Sequence, residues 1–131
     1  MRRMIHRSIM LALGVLALVA PALAHHSFSA EFDGDKEFVV TGVLTKLEWT
    51  NPHIYFYLDT KDANGNTVEY AFSSGPPNTL HRAGVRKEDF KIGEMVTVTA
   101  APAKDGTKHL GWFKMMKYQD GHVFVYRNGS E

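Results

Sequence analysis

From Phe38 onward the chain reads as short apolar runs separated by turn-forming clusters, a pattern of strands rather than long helices. Phe38 to Trp49 is rich in β-branched and apolar residues and predicts a first strand. Ile54, Phe56 and Leu58 alternate with Tyr55, Tyr57 and Asp59, and Val68, Tyr70 and Phe72 alternate likewise, predicting a second and a third. Between these two lies Asp62-Ala63-Asn64-Gly65-Asn66, whose Asn-Gly pair tolerates the positive φ of a tight turn, so the two strands should pair antiparallel. Prolines 76 and 77 can open a helical turn or two that Gly84 can end. Val96, Val98 and Ala100 alternate as a fourth strand, Leu110 to Tyr118 predicts a fifth, and Val123 to Arg127 a short last one after Asp120-Gly121.

Three strands, a short helix and two more strands is the order of an OB-fold, a small antiparallel barrel that hides its own edges. The expected fold is therefore all-β with small α content: an OB-fold-like barrel of five to six strands with one short helix. An open, sandwich-like sheet is the alternative. The alternation assigns Val43, Leu47, Ile54, Phe56, Leu58, Val68, Tyr70, Phe72, Val96, Val98 and Trp112 to the core.

The N-terminal pattern is different in kind. Arg2, Arg3, His6 and Arg7 form a basic head, Ile9 to Ala20 is uncharged and strongly apolar, and Ala22-Leu23-Ala24 has the small-x-small spacing that signal peptidase reads. The apolar run is shorter than the ~18 to 20 residues a bilayer span needs. Met1 to Ala24 is predicted to be a cleaved signal peptide, leaving His25 to Glu131 as a single domain in a bacterial periplasm, with no membrane span. The chain has 0 cysteines, which rules out a lipid-modified N-terminus and disulfides. Arg2-Arg3 hints at twin-arginine export, but the flanking residues of that signal are missing and ordinary Sec export fits better.

Charge follows from the same cut. The full chain carries +1, but three of its 15 basic residues lie in the predicted signal and none of its 14 acidic ones do, so the mature domain is mildly acidic. With no basic stripe to pair with phosphates, nucleic acid is not an expected partner.

The most distinctive stretch of the domain is Trp49-Thr50-Asn51-Pro52-His53. Pro52 has no amide hydrogen and pushes Asn51 out of the helical region, so the strand must end there and His53 should stand on a stiff corner at the barrel rim. Tyr55, Tyr57, Trp49 and Trp112 are of interest as a binding surface, because Tyr55 and Tyr57 should face away from the core, where aromatic rings can stack on flat or sugar-like ligands. Cross-strand pairing that only stabilises the sheet is the competing reading. Trp49, Asn51, His53, Tyr55 and Tyr57 are thus the candidate ligand-binding residues, for a small molecule, a glycan or a protein partner.

"HHSF" with "AEFD" (His25 to Asp33), "TGVLTKLEWTNPH" (Thr41 to His53) and "KIGEMVTVTAAPAKDG" (Lys91 to Gly106) resemble the bacterial proteins grouped as domain of unknown function 6152. The likeness spans nearly the whole mature chain. It implies a small exported protein and carries no reaction with it.

Cleavage after Ala24 would give His25 a free α-amine beside its imidazole, and the two nitrogens can chelate one ion. Such nitrogen donors suit Cu(II), and an N-terminal amine with a pKa near ~7.7 is readily neutral. His26, His25 and, from the corner, His53 are the candidate copper ligands, in a histidine-brace-like site that requires the arm from Ser27 to Lys36 to double back along the sheet. His81, His109 and His122 are weaker candidates. A terminal His-His without a partner binds metal only adventitiously, and that reading stands beside the first. The serines lack a nucleophile-elbow context, no His-Glu-x-x-His spacing occurs, and Glu31, Asp33, Asp35 and Glu37 read as a solvated approach to the first strand, so no enzyme is expected.

Overall fold

The computed structural model describes residues 27–126. After a one-turn helix, α1 (Ser27–Glu31), come β1 (Phe38–Glu48), β2 (Tyr55–Lys61), β3 (Thr67–Ser73), α2 (Pro77–Arg82), a 3-10 turn (Lys87–Asp89), β4 (Met95–Pro102), β5 (Leu110–Tyr118) and β6 (Val123–Val125). The predicted order therefore holds, with the sixth strand ending at Val125. Arg127, like His25 and His26, lies outside the described residues.

The strands run β3-β2-β1-β4-β5-β6, all neighbours antiparallel. Ala71, Phe72 and Ser73 of β3 also pair in parallel with Leu110, Gly111 and Trp112 of β5, which closes five strands into a barrel. β6 pairs with Met115 to Lys117, taking the part of the β5 edge that β3 leaves open. Closure covers the end of the β3 edge, from Ala71 to Ser73, that a small open sheet would leave bare.

The interior is apolar and tightly filled. Leu44, Ile54, Phe56, Leu58, Phe72, Val98, Phe113 and Met116 have no exposed surface. Phe56 stacks on Phe72 at 5.2 Å and meets Phe113 edge-on at the same distance. The chain after β3 seals one end: Pro77 opens α2 and Gly84, at φ 82°, ends it. Leu80 of α2 is fully buried, and Phe90 packs 5.3 Å from Phe56. Prolyl start and glycyl stop are the expected asymmetry of a short helix.

Two bulges set the register and correct the expected core. In β1, Leu44 pairs with Leu58 and Lys46 with Tyr57, so Thr45 is an extra residue. Leu44 and Leu47, three apart, therefore both point inward, whereas Val43 pairs with Asp59 and Met95 on the outer face and is only half-buried. Strict alternation makes Val43 and Leu47 equivalent; the inserted residue breaks that equivalence. In β5 the shift falls at Lys114, which lets both Phe113 and Met116 face the core. Val68 and Tyr70 share the inward side of β3 with Phe72 but are half-buried, because they lie towards the hairpin, beyond the best-covered part of the barrel.

The hairpin itself forms as its sequence requires. Gly65 takes φ 82°, and the Asp62 carboxylate accepts the Asn64 and Asn66 amides at 2.8 and 2.9 Å. Those bonds hold the Asp62 carboxyl below its ordinary pKa. Ahead of β1, Phe32 bridges Ala103 and lies against Trp112 with ring centres 5.5 Å apart. No helix among the described residues is long and apolar enough to cross a membrane.

Candidate functional site

The outer face of β2 gathers the candidate side chains in a row. Because Ile54, Phe56 and Leu58 are consumed by the core, Tyr55 and Tyr57 must stand outside, and both are half-buried there. Across β3 their partners are Ser73 and Ala71, side chains too short to cover an aromatic ring. Across β1 their partners are Glu48 and Lys46.

That second side fixes Tyr57. The Lys46 ammonium lies 4.8 Å from its ring centre, and its hydroxyl donates to Glu48 Oε2 at 3.3 Å. Lys46 and Glu48 form an ion pair with each other. Partial burial, then the neighbouring Glu48 charge, push the Tyr57 phenol above its ordinary pKa. The hydrogen bond from Lys46 lowers the Glu48 carboxyl, and the same bond raises Lys46. The result is a ring held in one orientation by a cation, a carboxylate and the strand beneath it.

His53 is half-buried, between the exposed Asn51-Pro52 corner and the buried Ile54. Asn51 and Pro52 are exposed and joined by a cis peptide bond. The His53 Nδ1 lies 2.9 Å from the Ser74 carbonyl oxygen, and a carbonyl can only accept, so Nδ1 carries the proton and Nε2 keeps its lone pair in the neutral ring. The imidazole also meets Trp112 edge-on at 6.0 Å. Trp112 pairs with Ser73 and Ala101 across the strands, and its flanks are covered by Phe32, His53 and Tyr126.

Trp49 goes elsewhere. Its ring packs 5.9 Å from Phe90 and 5.7 Å from His81, at the end sealed by α2. The corner therefore splits the candidates: Trp49 plugs the barrel end, while His53 joins Trp112 beside the row of tyrosines. The remaining histidines are dispersed, His109 against Tyr70 and His122 against Phe124, each with ring centres 4.6 Å apart. No group of three or more His, Cys, Asp or Glu side chains that could hold a metal occurs among the described residues. His25 and His26 lie outside them.

Sequence reasoning singles out the tyrosines, His53 and Trp112, but not the contacts among them. Trp112, which alternation also assigns to the core, is buried, yet it packs on the outside of the closed sheet. The adjacent Trp112-Phe113 pair was the available signal, since two successive strand residues cannot both point inward without a distortion such as the bulge at Lys114.

Fold and surface together define a class: small OB-like β-barrels carrying an aromatic row on the outer face of the second strand. Within that class, residues 12–126 match the family of unknown function DUF6152, and the chain belongs to that family. No curated protein and no solved structure matches it.

Proposed function

We propose that the chain is a periplasmic binding module, exported by the cleaved signal peptide Met1 to Ala24, that holds a small, flat or sugar-like ligand on the outer face of β2. The observation that carries this reading is the pairing of Tyr55 and Tyr57 with Ser73 and Ala71, which leaves aromatic surface uncovered on a rigid strand. Lys46 and Glu48 keep the Tyr57 ring oriented before any ligand arrives, so little rotamer freedom is lost on binding. His53 adds a hydrogen-bond acceptor, Nε2, at the rim of the same row. A thermal-shift screen of mono- and disaccharides and heteroaromatic metabolites against the secreted protein tests it. Hits should disappear in a Tyr55→Ala/Tyr57→Ala variant; hits that survive in that variant, or an absence of hits, refute the surface.

A second reading has one specific observation in its favour. A histidine whose Nδ1–H is fixed by a backbone carbonyl presents Nε2 in the manner of a metal ligand, and His53 is so fixed. Joined by the amine and imidazole of a mature His25, it would make a copper site. N-terminal sequencing of the secreted protein followed by copper titration under electron paramagnetic resonance tests this. A mature terminus other than His25, or copper affinity unchanged in His53→Ala, removes the shared site.

A further inference from the structure

Beyond Tyr57 the outward face of β2 continues to Asp59 and Lys61, and there the barrel surface changes character. A groove of about 620 Å³ opens over β1, bordered by Thr41, Val43, Thr45, Asp59, Lys61 and Met95. A second hollow of about 320 Å³ shares Thr41 and Met95 with it and runs on past Thr97 to Lys117 and Gln119. Each is within the ~300 to 1,000 Å³ range of ligand sites. Together they form one trough crossing β1 and β4.

The hydrogen-bonding inventory of the trough is mixed and incompletely used. Thr41 and Thr97 share a single hydroxyl–hydroxyl bond of 2.8 Å, which consumes one of their two protons and leaves the other to donate outward. Thr67, at the hairpin end, accepts from the Lys61 ammonium at 2.6 Å and so keeps its own proton for donation. Thr45 donates to the Tyr57 carbonyl at 3.2 Å and retains acceptor capacity. The half-buried Asp59 carboxylate has no hydrogen-bond or ion-pair partner among the described residues. The trough is thus lined by both donors and acceptors, together with the apolar side chains of Met95 and Val43.

These features select among ligands. A peptide adding a strand would use only the backbone where β1 is free of β2 (Phe38–Gly42) or of β4 (Thr45–Glu48), and would leave the threonine hydroxyls and the Asp59 carboxylate unmet. A phosphate chain is disfavoured by the Asp59 carboxylate in the middle, with lysines only towards the two ends. A ligand that both gives and accepts hydrogen bonds at many points, carries no net charge and presents C–H faces between its hydroxyls meets every requirement. We propose that this trough binds a neutral oligosaccharide chain. The site is built from residues other than the tyrosine row and stands or falls separately from it.

The test is a two-dimensional NMR titration of the full secreted protein with maltohexaose, cellohexaose and chitohexaose, and with hexagalacturonate as an anionic control. At least one neutral hexasaccharide should shift the amides of Thr41, Val43, Asp59 and Met95. Asp59→Asn and Met95→Glu should each weaken that binding about tenfold or more, while Tyr55→Ala, some ~13 Å along β2 from Asp59, should leave it within about twofold. Because Asp59 has no partner to lose among the described residues and Met95 is 39% exposed, both variants should stay folded, as their own spectra will report. The proposal is overturned if no neutral hexasaccharide shifts these amides, or if hexagalacturonate binds and Asp59→Asn strengthens it. It is also overturned if the shifts cluster at Tyr55, Tyr57 and Ala71 and vanish in Tyr55→Ala, an outcome that would leave the tyrosine surface standing.

Discussion

The two faces of β2 are made from one alternating stretch and do opposite things. Inward, Ile54, Phe56 and Leu58 are wholly removed from solvent, and Phe56 packs against rings from β3, β5 and the segment after α2. Outward, Tyr55 and Tyr57 meet short or charged neighbours, Asp59 lies opposite Val43 and Glu69, and all of them, with Lys61, remain partly accessible. The difference teaches that the aromatic content of this strand is divided by function: the phenylalanine holds the barrel together, and the tyrosines are spare. If that division is real, substitutions on the inner face should be costly to stability and those on the outer face cheap.

The largest effect is expected at Phe56. Its ring has no exposed surface and contacts Phe72, Phe90 and Phe113, so Phe56→Ala should lower the unfolding free energy in urea by about 3 to 5 kcal/mol. Next comes Gly111, where a Cβ would stand 2.6 Å from Phe38 Cζ and 2.8 Å from Ala100 Cβ. Gly111→Ala should cost about 1 to 3 kcal/mol in the same measurement, through overpacking rather than a cavity.

A pH-dependent effect sharpens the comparison further. The Tyr118 hydroxyl donates to the Asp89 carbonyl at 2.6 Å and accepts the Lys91 amide at 3.0 Å, and burial raises its pKa, against the opposing effect of the Lys91 hydrogen bond. A phenol whose folded pKa exceeds its unfolded value favours the folded state fully below about pH 10, and that contribution is lost as pH rises through the folded value. Stability should therefore fall above about pH 10, and the fall should be shallower in Tyr118→Phe when urea unfolding is repeated across the alkaline range. At the low end, Tyr57→Phe removes only the half-exposed hydroxyl bond to Glu48 and should cost about 0.5 kcal/mol.

How far the sequence reveals this arrangement depends on the residue. Alternation exposed both faces of β2, because its register is regular from Tyr55 to Lys61. The order of strands and the Pro77–Gly84 punctuation exposed the barrel and the capping helix. Alternation puts Val43 inward because a bulge leaves no mark in an apolar run: Val43, Leu44 and Leu47 are all plausible core residues, and only pairing with β2 decides which two enter. The partnership of His53 with Ser74 and Trp112 was equally hidden, since the three residues come from separate segments that meet only on closure. The trough is hidden for the same reason, its threonines and Asp59 coming from β1, β2 and β4.

The most direct test of the central claim, that the tyrosine row is available for binding rather than needed for folding, is the unfolding free energy of Tyr55→Ala/Tyr57→Ala. The account requires a loss of no more than about 1.5 kcal/mol, the size of two cross-strand pairs. A loss of about 3 kcal/mol or more, equal to emptying part of the core, would mean that the tyrosines are structural and would contradict it.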